Sequence, residues 1–108
     1  MYASTMSVVV VFSTFPPDRA SEIARILVDE RLCACVNLVQ GVRSIYRWDG
    51  AVHDDAETLA VIKTTDERVA ALQSRLVELH PYDVPEAIVV PVTGGHAPYL
   101  AWVAAQTA

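Results

Sequence analysis

The sequence predicts an α+β sandwich: four strands and two helices in the order β-α-β-β-α-β, followed by one further short helix. Three observations carry this. β-branched runs bounded by prolines mark strands, two stretches with apolar residues at 3.6-residue spacing mark helices, and an Asp-Gly pair at Asp49–Gly50 joins two long extended segments.

Taken in order, "SVVVVFST" at Ser7 to Thr14 is a β-branched run of the kind expected in a buried central strand. "PPDRASEIARILVDERL" follows as a helix starting at Pro17 or Asp18, with Ala20, Ile23, Ala24, Leu27 and Val28 on one face. Two extended arms, Cys35 to Trp48 and Val52 to Thr65, meet at Asp49–Gly50, where a type I′ turn needs positive φ at both positions. Val36 and Leu38 share a face, Val39 lies on the other, and Gly41 follows that change of parity, which predicts a bulge there. In "TDERVAALQSRLVELHP", Thr65 suits the N-cap and Asp66 and Glu67 the positive end of the helix dipole. Val69, Leu72, Leu76 and Leu79 form the buried stripe, and Pro81 ends the helix. "EAIVVPV" is a fourth strand whose Pro91 places it at a sheet edge, and "TGGHAPYLAWVAAQ" is a loop and a short helix started near Pro98. This order is two split βαβ units, the ferredoxin-like arrangement, with both main helices on one face of a four-stranded antiparallel sheet.

The chain of 108 residues suits a single domain over 1–108, with residues 1–6 expected to be a disordered tail. A net charge of −5, with Lys63 the one lysine and seven scattered arginines, argues against nucleic acid and anionic membrane as partners. "MYASTMSVVVVF" lacks the basic region and apolar length of a signal or a membrane span, so the cytoplasm is expected. Cys33 and Cys35 are too close along the chain for an unstrained disulfide and read as reduced thiols.

Each arm of the predicted hairpin would run roughly 43 Å at ~3.3 Å per residue. A compact chain of this length has a diameter on the order of 34 Å. The tip, with Ile45, Tyr46 and Trp48, should therefore overshoot its own fold, and one sheet face lacks helices to cover it. Both point to a homo-oligomer in which sheets and hairpins pack together.

The stretches "ERLCACVN", "SIYRWDG", "IKTT", "HPYDVPEAIVVPV" and "YLAW" resemble, in order and over about residues 7 to 105, the CutA family of divalent-cation tolerance proteins. The resemblance implies a ferredoxin-like protomer assembled as a homotrimer, a role in tolerance to copper and other divalent metals, and no enzymatic activity. It also implies copper ligands at a cysteine ending the first strand and at two adjacent histidines opening the "HPY" motif. Those positions read Ser13, Leu79 and His80, so only His80 remains. One imidazole with a hydroxyl is a poor copper site.

Two donors stay candidates for metal. His80 could draw on Asp83, Glu86 or another subunit; otherwise it caps a helix end, the preferred reading. Cys35, with Cys33 on the same side of a strand, could hold a soft cation such as Cu(I), although burial as a small hydrophobe is preferred. Asn37 and Lys63 are polar on inner strands and are expected to face an intersubunit cleft or to pair with carboxylates. Tyr46, Trp48, Tyr82, Tyr99 and Trp102 read as interface packing or a ligand pocket, with Glu86 at the edge of the same cleft. Asp54, Asp55 and Glu57 read as a solvated acidic run in preference to a hard-cation patch.

No cofactor is obligatory on this reading, with copper or another divalent cation as the candidate and a metal ion or small anion as the cleft's occupant. A second reading is a trimeric sensor of nucleotides or other small molecules, similar in architecture to nitrogen-regulatory signalling proteins. An enzyme using His80 with Asp83 or Cys35 finds no supporting motif.

Overall fold

The β-branched run forms β1 (Val8–Phe15) at the centre of the sheet in a computed structural model that describes residues 7–108. The tail expected at 1–6 lies outside the described residues. After β1 come α1 (Ala20–Asp29), β2 (Cys35–Trp48), β3 (Ala51–Thr65), α2 (Val69–Leu79), β4 (Ile88–Pro91) and α3 (Ala97–Gln106). The strands lie in the order β2-β3-β1-β4, all antiparallel, which is the ferredoxin-like sheet.

Alternation along the strands sends Val9, Val11 and Phe15 of β1 and Ala60 and Ile62 of β3 to one face. There they pack against Ile23 and Leu27 of α1 and Leu72 and Leu76 of α2, all fully buried. The opposite parity, with Val10, Phe12, Val61, Lys63, Cys35 and Asn37 side by side in register, faces away from those helices. Among the described residues only one end of that second face is covered, where Val8 and Ala34 meet Val103 and Leu100 of α3.

Several local expectations are corrected. The first helix starts at Ala20 because Pro17 and Asp18 form a turn closed by the Arg19 N–H donating to the Pro16 carbonyl at 3.0 Å. Val28, one step beyond the buried stripe, is exposed. The helix closes on Arg31 at φ 59°, with Leu32 N–H reaching back to the Leu27 carbonyl at 3.1 Å, and this turns Leu32 and Cys33 into the core. Thr65 stands at an N-cap but caps nothing. Its buried Oγ1 has no partner among the described residues, and the chain enters α2 through a 3-10 turn, Asp66–Arg68, held by the Asp66 N–H to the Ser7 carbonyl at 2.9 Å. β4 is shorter than expected at its front, because two residues past its ladder with β1 the Thr14 carbonyl is taken by a side chain, His80.

The hairpin arms of 14 and 15 residues turn at Asp49 (φ 52°) and Gly50 (φ 79°), as a type I′ turn requires. They stretch the molecule to 51 Å against 25 and 22 Å, and the radius of gyration is 14.7 Å where a compact chain would have about 13 Å. The bulge falls where expected, as a register shift between Val39 and Val42 with Gly41 at φ 78°. A Cβ on Gly41 would meet open space, so only the backbone resists a side chain there. Gly41→Ala should therefore lower stability by about 1 kcal/mol in urea unfolding, whereas Gly94→Ala, also in open space and without positive φ, should leave the midpoint unchanged.

Candidate functional site

Pro81 halts α2, so His80 turns out of the helix at φ −79°, ψ 133° and swings across the end of β1. Its Nε2–H donates to the Thr14 carbonyl at 2.7 Å, and its Nδ1 accepts the Tyr82 N–H at 3.2 Å. Each ring nitrogen thus has its partner, which defines the neutral tautomer with the proton on Nε2. The ring packs edge-on against Phe15 and tilts over Tyr82, with centroids 5.4 and 4.4 Å away, and the residue is only 6 % exposed. His80 is a bracket between strand and turn, and neither nitrogen has a lone pair to spare. The helix-capping role expected for a cationic imidazole is replaced by this one.

What the bracket holds is Tyr82. The Tyr82 hydroxyl donates to Glu57 Oε2 at 2.7 Å across from the hairpin. The register places Glu57, Asp55, Ser44, Tyr46 and Trp48 on one face of the ribbon, through the pairs Val42–Glu57, Ser44–Asp55, Tyr46–His53 and Trp48–Ala51. Together the ribbon and the "HPYDVPE" turn enclose a cleft of about 860 Å³, lined also by Thr14, Asp83 and Glu86. Tyr46 donates its hydroxyl to Asp55, and its ring stacks on His53 at 5.4 Å. Both phenols are pushed above their ordinary pKa: Tyr46 first by its bond to Asp55, Tyr82 first by burial and then by its bond to Glu57. Burial, then the Glu57 charge, raises the Glu86 carboxyl. Among the described residues no lysine, arginine or histidine lines the cleft, so its chemistry suits a cation and offers a small anion no counter-charge.

The acidic run after the turn is accordingly neither solvated throughout nor convergent. Asp54 points to the other side of the ribbon and takes a two-pronged bond from Arg43, at 2.8 Å from Nε and 2.6 Å from Nη2. Glu57, at 6 % exposure, is the residue that sequence reasoning undervalued. The available signal was parity, since Asp55 and Glu57 continue the alternation of Leu59, Val61 and Lys63 past the bulge.

The thiols are not equivalent. Cys33 precedes β2, so the pair does not share one side of a strand; Cys33 is 1 % exposed, and burial pushes its pKa up to about 12. Cys35 sits half-buried on the uncovered sheet face, its Sγ 4.0 Å from both Asn37 Oδ1 and Lys63 Nζ. Lys63 donates to Asn37, so those two polar residues satisfy each other and no carboxylate pairs with Lys63 among the described residues. Any thiol titrated by Ellman's reagent in the native protein should be Cys35, with Cys33 appearing only on unfolding; native reactivity surviving in Cys35→Ser would contradict this.

Cys35 and His80 are not brought together. Cys35 aligns through Lys63 with Val10 of β1, whereas His80 binds Thr14, four residues further along that strand. Ser13 is fully buried with its Oγ unpartnered, and Leu79 packs on the core. No cluster of three His, Cys, Asp or Glu suited to a metal occurs among the described residues. The described residues of this chain therefore bring together no donor set that fits copper. Tyr99 and Trp102, 5.6 Å apart on α3, line no part of the cleft.

Sandwich, overlong hairpin and cleft place the chain structurally among ferredoxin-like α+β proteins with PII-like neighbours. The family model described as "CutA1 divalent ion tolerance protein" matches residues 8–106, and the chain belongs to that family. A divalent-cation tolerance protein CutA of Thermus thermophilus is 46 % identical over 91 % of this chain and 96 % of its own length. The crystal structure of CutA from Xylella fastidiosa superposes with a TM-score of 0.92 at 43 % identity, covering 94 % of this chain and 99 % of that one. A PII-like CutA from Nostoc in apo form superposes at 0.88 and 36 % identity, covering 93 % and 97 % of the two chains. The chain spans about half the length of the mammalian relatives it matches, and plant relatives are named chloroplastic. No helix among the described residues is long and apolar enough to cross a membrane.

Proposed function

We propose that the chain acts as a homotrimeric, non-enzymatic cytoplasmic protein in the response to divalent metal ions. The observation that carries the assembly is the uncovered sheet face. Val39, Ile88 and Val90 are exposed there beside Phe12 and Val61, and the hairpin tip leaves Ile45 66 % and Trp48 49 % exposed. An apolar surface of this kind is costly in water and supports burial against identical copies. Tyr99 and Trp102, exposed on α3, would join that interface.

Metal contact on this reading is weak and lies between subunits. Cys35 is the soft donor on the face that copies would share, and His80 could serve only by releasing the Tyr82 amide. Light scattering of the purified protein tests the assembly; a mass of one chain at micromolar concentration would end it. Titration with Cu(I) and Cu(II) tests the donors, with binding expected to fall in Cys35→Ala and His80→Ala. Equal binding in both variants and wild type would remove these residues from the metal reading.

The second reading, a small-molecule sensor, is favoured by one observation: a cleft of about 860 Å³, within the size range of ligand sites. A thermal-shift screen separates it from a purely metal-linked role, because a ligand of the folded state raises the melting temperature.

A further inference from the structure

Glu57 poses an unresolved electrostatic problem. Glu57 is only 6 % exposed as a residue, yet it makes no ion pair among the described residues, and Tyr82 bonds only its Oε2, which leaves Oε1 open at the cleft. A carboxylate at a cleft wall with only water and one phenol as donors has no counter-charge, so a cation entering the cleft would complete an ion pair there. The residue lines the cleft together with Tyr46, Trp48 and Tyr82 and two further carboxylates, Asp55 and Glu86.

We propose that this cleft binds an organic ammonium cation, with Glu57 as its anionic anchor and the aromatic rings as its walls. A metal ion fits less well, because no three carboxylate, thiol or imidazole groups converge on one point among the described residues. An ammonium carried on an aliphatic chain needs no such convergence. One charged end meets Glu57, the methylenes lie against Trp48 and Tyr46, and the π faces add attraction to the cation. A molecule with two amines can reach a second carboxylate, so a diamine should bind better than a monoamine. The inference deepens the sensing reading and rests on the cleft staying open in the assembled protein.

The test uses the full chain in a Trp102→Phe background, so that Trp48, the other of the two tryptophans, reports on the cleft. 1,4-Diaminobutane is titrated at constant ionic strength while fluorescence is followed, with butylamine, magnesium chloride and inorganic phosphate as comparators. A saturable change is expected with the diamine, weaker with butylamine, and absent with magnesium and phosphate. Glu57→Gln, which keeps shape and loses charge, should weaken diamine binding about tenfold or more, as expected for a hydrogen bond to a charged group. Asp55→Asn, a second variant, should bring the diamine down towards butylamine. No saturable response at millimolar diamine, or equal affinity in Glu57→Gln, would overturn the proposal. Light scattering on the same samples separates the causes. If the diamine is silent and Glu57→Gln breaks the assembly, the cleft belongs to a neighbouring copy's Lys or Arg and the small-cation proposal is wrong, while the oligomer stands.

Discussion

Replacing His80 by alanine is expected to destabilise the folded chain by about 3 kcal/mol, because it strands two backbone groups at once. The Thr14 carbonyl lies beyond the end of the β4 ladder, and the Tyr82 amide lies in a turn that donates to nothing else. Each unsatisfied buried group costs about 1–3 kcal/mol, and water reaching the turn offsets part of that. Loss of the ring also removes its contacts with Phe15 and Tyr82. Tyr82→Phe deletes only the hydroxyl bonded to Glu57 and should cost about 1 kcal/mol. Urea unfolding of the three proteins at equal concentration measures both. A His80→Ala loss below that of Tyr82→Phe would show that the imidazole is not the bracket described above.

If the chain assembles as proposed, Val61→Glu should yield smaller species than the wild type. Val61 pairs with Phe12 on one side and Asn37 on the other, at the middle of the uncovered sheet face. If copies bury that face, a carboxylate there loses its water without gaining a partner, a penalty of about 3–5 kcal/mol. That corresponds to a dissociation constant weakened by more than ~100-fold. Val77→Glu is the control, because Val77 is exposed on α2, on the other side of the sandwich. Gel filtration with light scattering should find Val77→Glu at the wild-type mass and Val61→Glu below it. Unchanged mass in Val61→Glu would remove the sheet face from the interface.

Elements were legible in the sequence wherever a short-range rule acts alone. Asp49–Gly50 needs positive φ at neighbouring residues, and Gly41 marks a change of parity within one strand; both features appear at their expected places. The limits of β2 agree with those read from its alternation. Helix starts were less legible, since Pro17–Asp18 suits a helix N-terminus and a turn equally well, and contact with Pro16 decides for the turn. Thr65 is a good capping residue by type, but burial beneath the 3-10 turn leaves its hydroxyl nothing to bond.

The cleft was only partly legible. Tyr82 and Glu86 stood out because "HPYDVPE" crowds polar groups between prolines, and Tyr46 and Trp48 because aromatic residues at a hairpin tip are conspicuous. Glu57 did not, because parity separates it from Asp54 but not from Asp55, which shares its face and is exposed. Lys63 was placed correctly on an inner strand, but Asn37 lies on β2, an edge strand of the sheet, and the two are partners of each other, which depends on the pairing of β2 with β3.

Composition, periodicity and turn chemistry were enough to define the order of elements, the long ribbon and the uncovered sheet face, because each depends on residues within a turn or a few strand positions of one another. The tertiary structure decided that His80 is a bracket, that Glu57 is a buried charge facing a cleft, and that Cys33 is sealed while Cys35 is not. Those outcomes depend on contacts between residues as far apart as Thr14 and His80 or Glu57 and Tyr82. Spacing along the chain carries no record of such distances; only the packing of ribbon, turn and sheet creates them.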